Sequence, residues 1–92
     1  LKFEKEKSVD IFYDNKKVGN YRPDFVVEDK IIIELKALTF LGQKEKKQLW
    51  YYLKGSKYQL GFLVNFGAKE IQIERTIDTK KISENQTENQ LS

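Results

Sequence analysis

The stretch that decides the fold is Arg22-Pro23-Asp24-Phe25-Val26-Val27-Glu28-Asp29-Lys30-Ile31-Ile32-Ile33-Glu34-Leu35-Lys36-Ala37-Leu38. Ile31–Leu38 is a nearly continuous apolar run, the pattern of a strand buried on both faces. Glu28-Asp29-Lys30 reads as a turn into it. On a strand, residues two apart share a face, so Glu34 and Lys36 join Ile32 and Leu38. Burying an unpartnered charge costs roughly several kcal/mol, and an ion pair seldom outdoes apolar residues of similar size. Two charges in this stripe therefore point to chemistry, the alternative being a solvated ion pair on an edge strand.

The turn supplies a third group. A three-residue loop puts Val27 opposite Ile31, and the register then sets Asp24 opposite Glu34. A two-residue loop would send Asp24 to the other face. Carboxylates ~5 Å apart repel unless a cation lies between them. Two carboxylates, a backbone carbonyl and waters suit Mg²⁺ or Mn²⁺, and a neighbouring Lys can serve a water or a phosphate. The same groups would suit phosphodiester hydrolysis.

Outward from this hairpin, Lys2–Lys7 and Val9–Tyr13 alternate as strands, Asp14-Asn15-Lys16-Lys17 turns, and Val18–Val27 is extended, interrupted at Pro23. Gly42–Leu53 is the one convincing helix, with Gly42 as N-cap, Gly55 as stop, and a Leu49, Trp50, Leu53 stripe. Leu60–Asn65 and Ile71–Ile77 are two further strands. The expected fold is α/β: a mixed sheet with one main crossover helix joining parallel strands.

Composition narrows the chemistry. The 92 residues contain no Cys and no His, which excludes disulfides, thiol nucleophiles and imidazole-dependent triads. No apolar run or leader pattern suggests a membrane span or signal peptide, so the expected location is the cytoplasm. The lack of an initiator Met suggests a fragment or a processed chain. Residues 1–77 read as the domain, and residues 78–92 as a disordered polar tail with only Ile82 and Leu91 as large apolar groups. The net charge is +3, and +4 over residues 1–77, because the tail carries a net −1. Lys44, Lys46 and Lys47 crowd the helix start, where the dipole disfavours cations, so a nucleic-acid backbone is one explanation and a solvated charge run the other.

Arg22-Pro23-Asp24, nine intervening residues, then Glu34-Leu35-Lys36 resembles the Pro-Asp…Glu-x-Lys motif of the PD-(D/E)XK nuclease superfamily. Val18-Gly19-Asn20-Tyr21 leading into that motif, Gln48-Leu49 with Tyr52-Leu53-Lys54, and Gly61-Phe62-Leu63-Val64-Asn65-Phe66-Gly67 are similar to its small GxxExxY branch. The resemblance spans roughly residues 1–77. It implies a restriction-endonuclease-like core in which Asp24, Glu34 and the Leu35 carbonyl bind Mg²⁺ or Mn²⁺ and Lys36 serves the attacking water. Gln48 and Tyr52 resemble the Gln-x-x-x-Tyr helix motif of RecB-type nucleases, which assists the site. The branch's name-giving helix lies upstream of the part seen here.

The implied partner is nucleic acid, DNA in preference to RNA, met by Lys44, Lys46, Lys47 and Arg22. A homodimer is left open, since nuclease folds of this size often pair to engage both strands. The alternatives to a metal-dependent nuclease are a non-catalytic nucleic-acid-binding module and a protein-assembly module on the same fold.

Overall fold

Two tight turns with left-handed backbone organise the N-terminal half. Asp14 and Asn15, at φ 53° and 61°, close a two-residue hairpin between β2 (Val9–Tyr13) and β3 (Lys16–Tyr21). Positive φ at both central residues matches the right-handed twist of the strands they join. Glu28 and Asp29, at φ 54° and 50°, turn β4 (Phe25–Val27) into β5 (Ile31–Lys36). Val27 faces Ile31 across this three-residue loop, in the register expected from sequence.

The computed structural model describes residues 1–81. Its main sheet has five strands in the order β1 (Phe3–Lys5), β4, β5, β6 (Leu60–Asn65), β7 (Gln72–Ile77). β5 and β6 are parallel, and the other neighbours are antiparallel. The crossover between the parallel pair carries α1 (Gln43–Gly55), so the mixed sheet with one crossover helix is the architecture observed. No helix among the described residues is long and apolar enough to cross a membrane.

The extended stretch Val18–Val27 is divided. β3 belongs to a separate two-stranded ribbon with β2, and β4 belongs to the main sheet. The break falls at Pro23, which has no N–H for a ladder and is fully buried. The ribbon and one face of the sheet enclose α1, and the core is Val9, Ile11, Val26, Ile32, Leu41, Leu49, Leu53, Tyr58 and Leu63. Trp50, expected in the helix stripe, is instead 40% exposed.

One further expectation is corrected, and the reason for another changes. β5 is covered on one face only: Ile32 is fully buried, whereas Ile31 and Ile33 are half-buried and Leu35 is 39% exposed. Gly55 does not stop the helix through a left-handed conformation, since the extended Ser56 follows it as the cap and no glycine has positive φ. It is glycine because β2 passes against it, and a Cβ there would lie 2.5 Å from Ile11 Cγ2.

Packing also continues past Ile77. Asp78 is buried and its N–H donates to the Gln59 carbonyl at 2.8 Å. The Lys81 ammonium donates to the carbonyls of Leu53, Ser56 and Tyr58 at the C-terminal end of α1. Residues 78–81, assigned to the tail from sequence, thus pack on the domain. Residues 82–92, the rest of that expected tail, lie outside the described residues.

Candidate active site

The β4–β5 ladder ends at Phe25 and Ile33, and the next pair is locked by side chains instead of a regular bridge. The Asp24 N–H donates to Glu34 Oε1 at 2.9 Å, and the Leu35 N–H donates to Asp24 Oδ2 at 2.7 Å. Each carboxylate thus commits one oxygen to the backbone and holds the other's neighbourhood in place. Asp24 and Glu34 meet as the three-residue loop predicts.

Glu34 and Lys36 open into a pocket of about 150 Å³, lined also by Tyr21, Glu45, Gln48, Leu49, Tyr52 and Leu63. The sheet therefore faces the helix here, with Glu34 and Lys36 on β5 opposite Gln48 and Tyr52 on α1. Larger clefts exist elsewhere, but their linings contain none of these groups. Asp24 is not part of the pocket lining and is tied to it through Glu34. Leu35 turns its side chain to the opposite face of β5 and contributes its N–H to Asp24.

Burial pushes the Glu34 carboxyl above its ordinary range, and the charge on Asp24 adds to this. The Asp24 N–H, the Tyr21 hydroxyl and the positive charge of Lys36 act the other way. Glu34 and Lys36 form no ion pair within 4 Å among the described residues, so Lys36 acts on Glu34 at a distance. Tyr21 is driven far above the ordinary tyrosine range, first by burial and then by the Glu34 charge, and is therefore a fixed hydroxyl donor. Its ring stacks on Tyr52, with centroids 4.1 Å apart and planes 3° from parallel.

Tyr21 and Glu45 are pocket residues that the sequence reading did not single out. The signal for Tyr21 was its place directly before Arg22-Pro23-Asp24. Glu45 is the third residue of α1, and its Oε2 accepts the Gly42 N–H at 3.0 Å, an N-terminal cap that also turns the carboxylate toward the pocket.

The basic residues are only partly gathered. Lys46 pairs with Glu74 on β7 at 3.2 Å, which ties the helix to the sheet edge. Lys44, Lys47 and Arg22 are exposed and make no ion pair among the described residues. No group of three acidic side chains arranged to hold a metal ion occurs among the described residues. Asp24 and Glu34 remain as two hard oxygen donors, each with one oxygen outside the backbone hydrogen bonds.

A model of the PD-(D/E)XK nuclease superfamily matches residues 1–76. The chain belongs to the PD-(D/E)XK nuclease superfamily. No curated protein and no solved structure gives a significant match. Members of the superfamily generally act on nucleic acids with divalent metal ions, and the α/β core described above is compatible with the restriction-endonuclease-like fold.

Proposed function

We propose that this domain is a divalent-metal-dependent nuclease of the GxxExxY branch, hydrolysing phosphodiesters in DNA in preference to RNA. The observation that carries this reading is the mutual anchoring of Asp24 and Glu34 beside a pocket holding Lys36, Gln48 and Tyr52. The donor set fits a hard cation: two carboxylates, no soft ligands, and a Glu34 carboxyl whose burial leaves its negative charge under-compensated.

Asp24, Glu34 and the Leu35 carbonyl are the proposed ligands, and the Glu of the branch's upstream helix would add a further carboxylate. When bound, Mg²⁺ or Mn²⁺ supplies polarisation of the phosphoryl oxygen and an acidified water. Lys36 orients the attacking water and balances negative charge developing on the phosphate. Tyr52, held by its stack on Tyr21, and Gln48 position the scissile phosphate. Lys44, Lys47 and Arg22 neutralise the flanking backbone, with Lys46 shared between that task and Glu74.

The test is cleavage of single- and double-stranded DNA and RNA in Mn²⁺. Glu34→Ala and Lys36→Ala should each abolish it with the fold intact, and normal cleavage by either variant overturns the assignment. One observation favours a second reading, a nucleic-acid-binding module without turnover: no group of three side chains able to hold a metal occurs among the described residues, and Asp24 and Glu34 each already accept a backbone N–H. Salt-dependent binding by Glu34→Ala together with no cleavage by the wild type would select it.

A further inference from the structure

The row that carries Lys36 into the pocket continues across the sheet as Asn65 on β6 and Gln72 on β7. Asn65 is fully buried, and every hydrogen-bonding site of its amide is used. Its Oδ1 accepts the Leu38 N–H at 2.8 Å and the Gly67 N–H at 3.2 Å. Its Nδ2 donates to the Leu38 carbonyl at 3.0 Å and to Gln72 Oε1 at 2.9 Å. Gln72 Oε1 also accepts the Leu41 N–H at 2.9 Å. The two side chains thus clamp the β5–α1 connection at two points, Leu38 and Leu41.

That connection joins the two walls of the pocket. Glu34 and Lys36 stand on β5, Glu45 and Gln48 on the first turns of α1, and residues 37–42 are the chain between them. The backbone beside it is equally constrained. The Phe66 N–H donates to the Lys36 carbonyl at 3.0 Å, and a Cβ on Gly67 would lie 2.4 Å from both the Ala37 carbonyl carbon and the Leu38 nitrogen. A buried amide costs free energy unless it is bonded. Here two of the bonds go to Leu38 and a third to the side chain that holds Leu41. Neither Asn65 nor Gln72 lines the pocket itself.

We infer that Asn65 and Gln72 are positioning residues, which set from outside the pocket the gap between Lys36 and the Glu45–Gln48 turn; the inference rests on the nuclease reading above. The proposed chemistry needs Lys36 on the water while Gln48 holds the phosphate, so the walls must keep their spacing. A displacement of about 1 Å can cost about a hundredfold in rate with every reacting group still present. Asp24 and Glu34 do not depend on the clamp, because they are fixed to each other through the backbone.

Gln72→Leu removes the oxygen shared by Leu41 and Asn65, whereas Gln72→Glu keeps it. Hydrogen exchange followed by NMR reads the clamp directly. The Leu41 amide should be protected in the wild type and in Gln72→Glu, and should lose that protection in Gln72→Leu. Cleavage reads the purpose of the clamp. Gln72→Leu should lower kcat about a hundredfold with KM within about twofold of the wild type, and Gln72→Glu should restore kcat. Any rise in melting temperature caused by Mn²⁺ should be the same in all three proteins. Asn65→Ala should lower kcat further where it folds, and the Gln72 pair decides where it does not. Normal cleavage by a Gln72→Leu protein that has lost Leu41 protection overturns the inference, as does a Gln72→Glu protein as slow as Gln72→Leu. A wild type that cleaves nothing removes the nuclease reading instead, and an unprotected Leu41 amide then overturns the clamp by itself.

Discussion

Asp24 and Glu34 are fixed to each other through the backbone, with the Asp24 N–H on Glu34 Oε1 and the Asp24 carboxylate on the amide that follows Glu34. The carboxylates are therefore placed before any ligand arrives, and neither depends on its charge to keep its hydrogen bond. Asp24→Asn and Glu34→Gln retain an accepting oxygen, so each should change stability by no more than about 1 kcal/mol. If Asp24 and Glu34 hold the metal, Mn²⁺ should raise the melting temperature of the wild type, and each substitution should remove that rise. Thermal melts with and without millimolar MnCl₂ check this, since a ligand bound only by the folded state must raise its melting point. A Mn²⁺ shift that survives in both variants would place the metal elsewhere.

Tyr52 serves two purposes that one pair of substitutions separates. Its ring stacks on Tyr21, and the same side chain lines the Glu34 and Lys36 pocket. Tyr52→Phe keeps the stack and loses the hydroxyl, so cleavage should fall at least about tenfold while the melting temperature holds. Tyr52→Ala should instead cost about 3 kcal/mol of stability, because a large half-buried ring is deleted beside the core. Paired activity and denaturation measurements distinguish the two effects.

The legible parts of the site were those set by short-range rules. The length of the Glu28-Asp29-Lys30 loop fixes the register, and period-two alternation fixes the face shared by Glu34 and Lys36. Gln48 and Tyr52 were legible only through the resemblance to the Gln-x-x-x-Tyr motif, and their four-residue spacing on α1 lets both line the pocket. Tyr21 was hidden because it arrives on a ribbon outside the main sheet, and no local pattern says that β3 leaves that sheet at Pro23. Gly55 ends α1 as read, but the reason for a glycine there was hidden: close approach by β2 and a left-handed helix cap both favour glycine, and only the tertiary packing tells them apart. Lys81 had the composition of a tail, yet three carbonyls at the end of α1 give it a place.

The lysines at the start of α1 divide by partner. Lys44 and Lys47 are exposed and unpaired among the described residues, while Lys46 holds Glu74. If Lys44 and Lys47 each meet one phosphate, each substitution by Ala should lower the slope of log affinity against log salt by about 0.7–0.9. Lys46→Ala should give a smaller change in slope and a small loss of stability, about 0.5 kcal/mol, from the exposed ion pair. Binding titrations over a range of NaCl concentrations supply the slopes.

Asp29 predicts an acid-dependent stability. Hydrogen bonds from Lys57, the Tyr58 hydroxyl and Lys7 hold its carboxyl well below the usual carboxylate range. Because the folded value is depressed, this stabilisation is complete above the ordinary value of 3.8 and is lost as pH falls from there toward the folded value. Lys7, pushed up to about 12 chiefly by its hydrogen bond to Asp29, sets the alkaline limit: its share is complete below 10.5 and is lost as pH rises through about 12. Asp29→Asn keeps a side chain that tolerates the φ of 50° and removes only the charge. The variant should melt below the wild type at pH 7, and the two curves should converge below pH 4, where Asp29 is being protonated in the unfolded chain. A gap that persists undiminished at pH 2 would mean that the loss is steric.

Gly55 gives the sharpest test of how the ribbon sits on the helix. A Cβ there would lie 2.5 Å from Ile11 Cγ2, 2.7 Å from Tyr13 Cε2 and 3.3 Å from the Phe12 carbonyl. Backbone on one side and a fully buried Ile11 on the other leave little room to yield. In a free helix Gly→Ala stabilises by about 1 kcal/mol, so the sign of the measured change decides the case. Gly55→Ala should destabilise by about 1–3 kcal/mol through overpacking, with the ribbon displaced from α1. Because Tyr21 stands on that ribbon and stacks on Tyr52, the proposed nuclease activity should fall as well, even where the variant is fully folded. Urea denaturation together with cleavage assays checks both effects, and a stabilised, fully active Gly55→Ala would remove the ribbon from the description of the site.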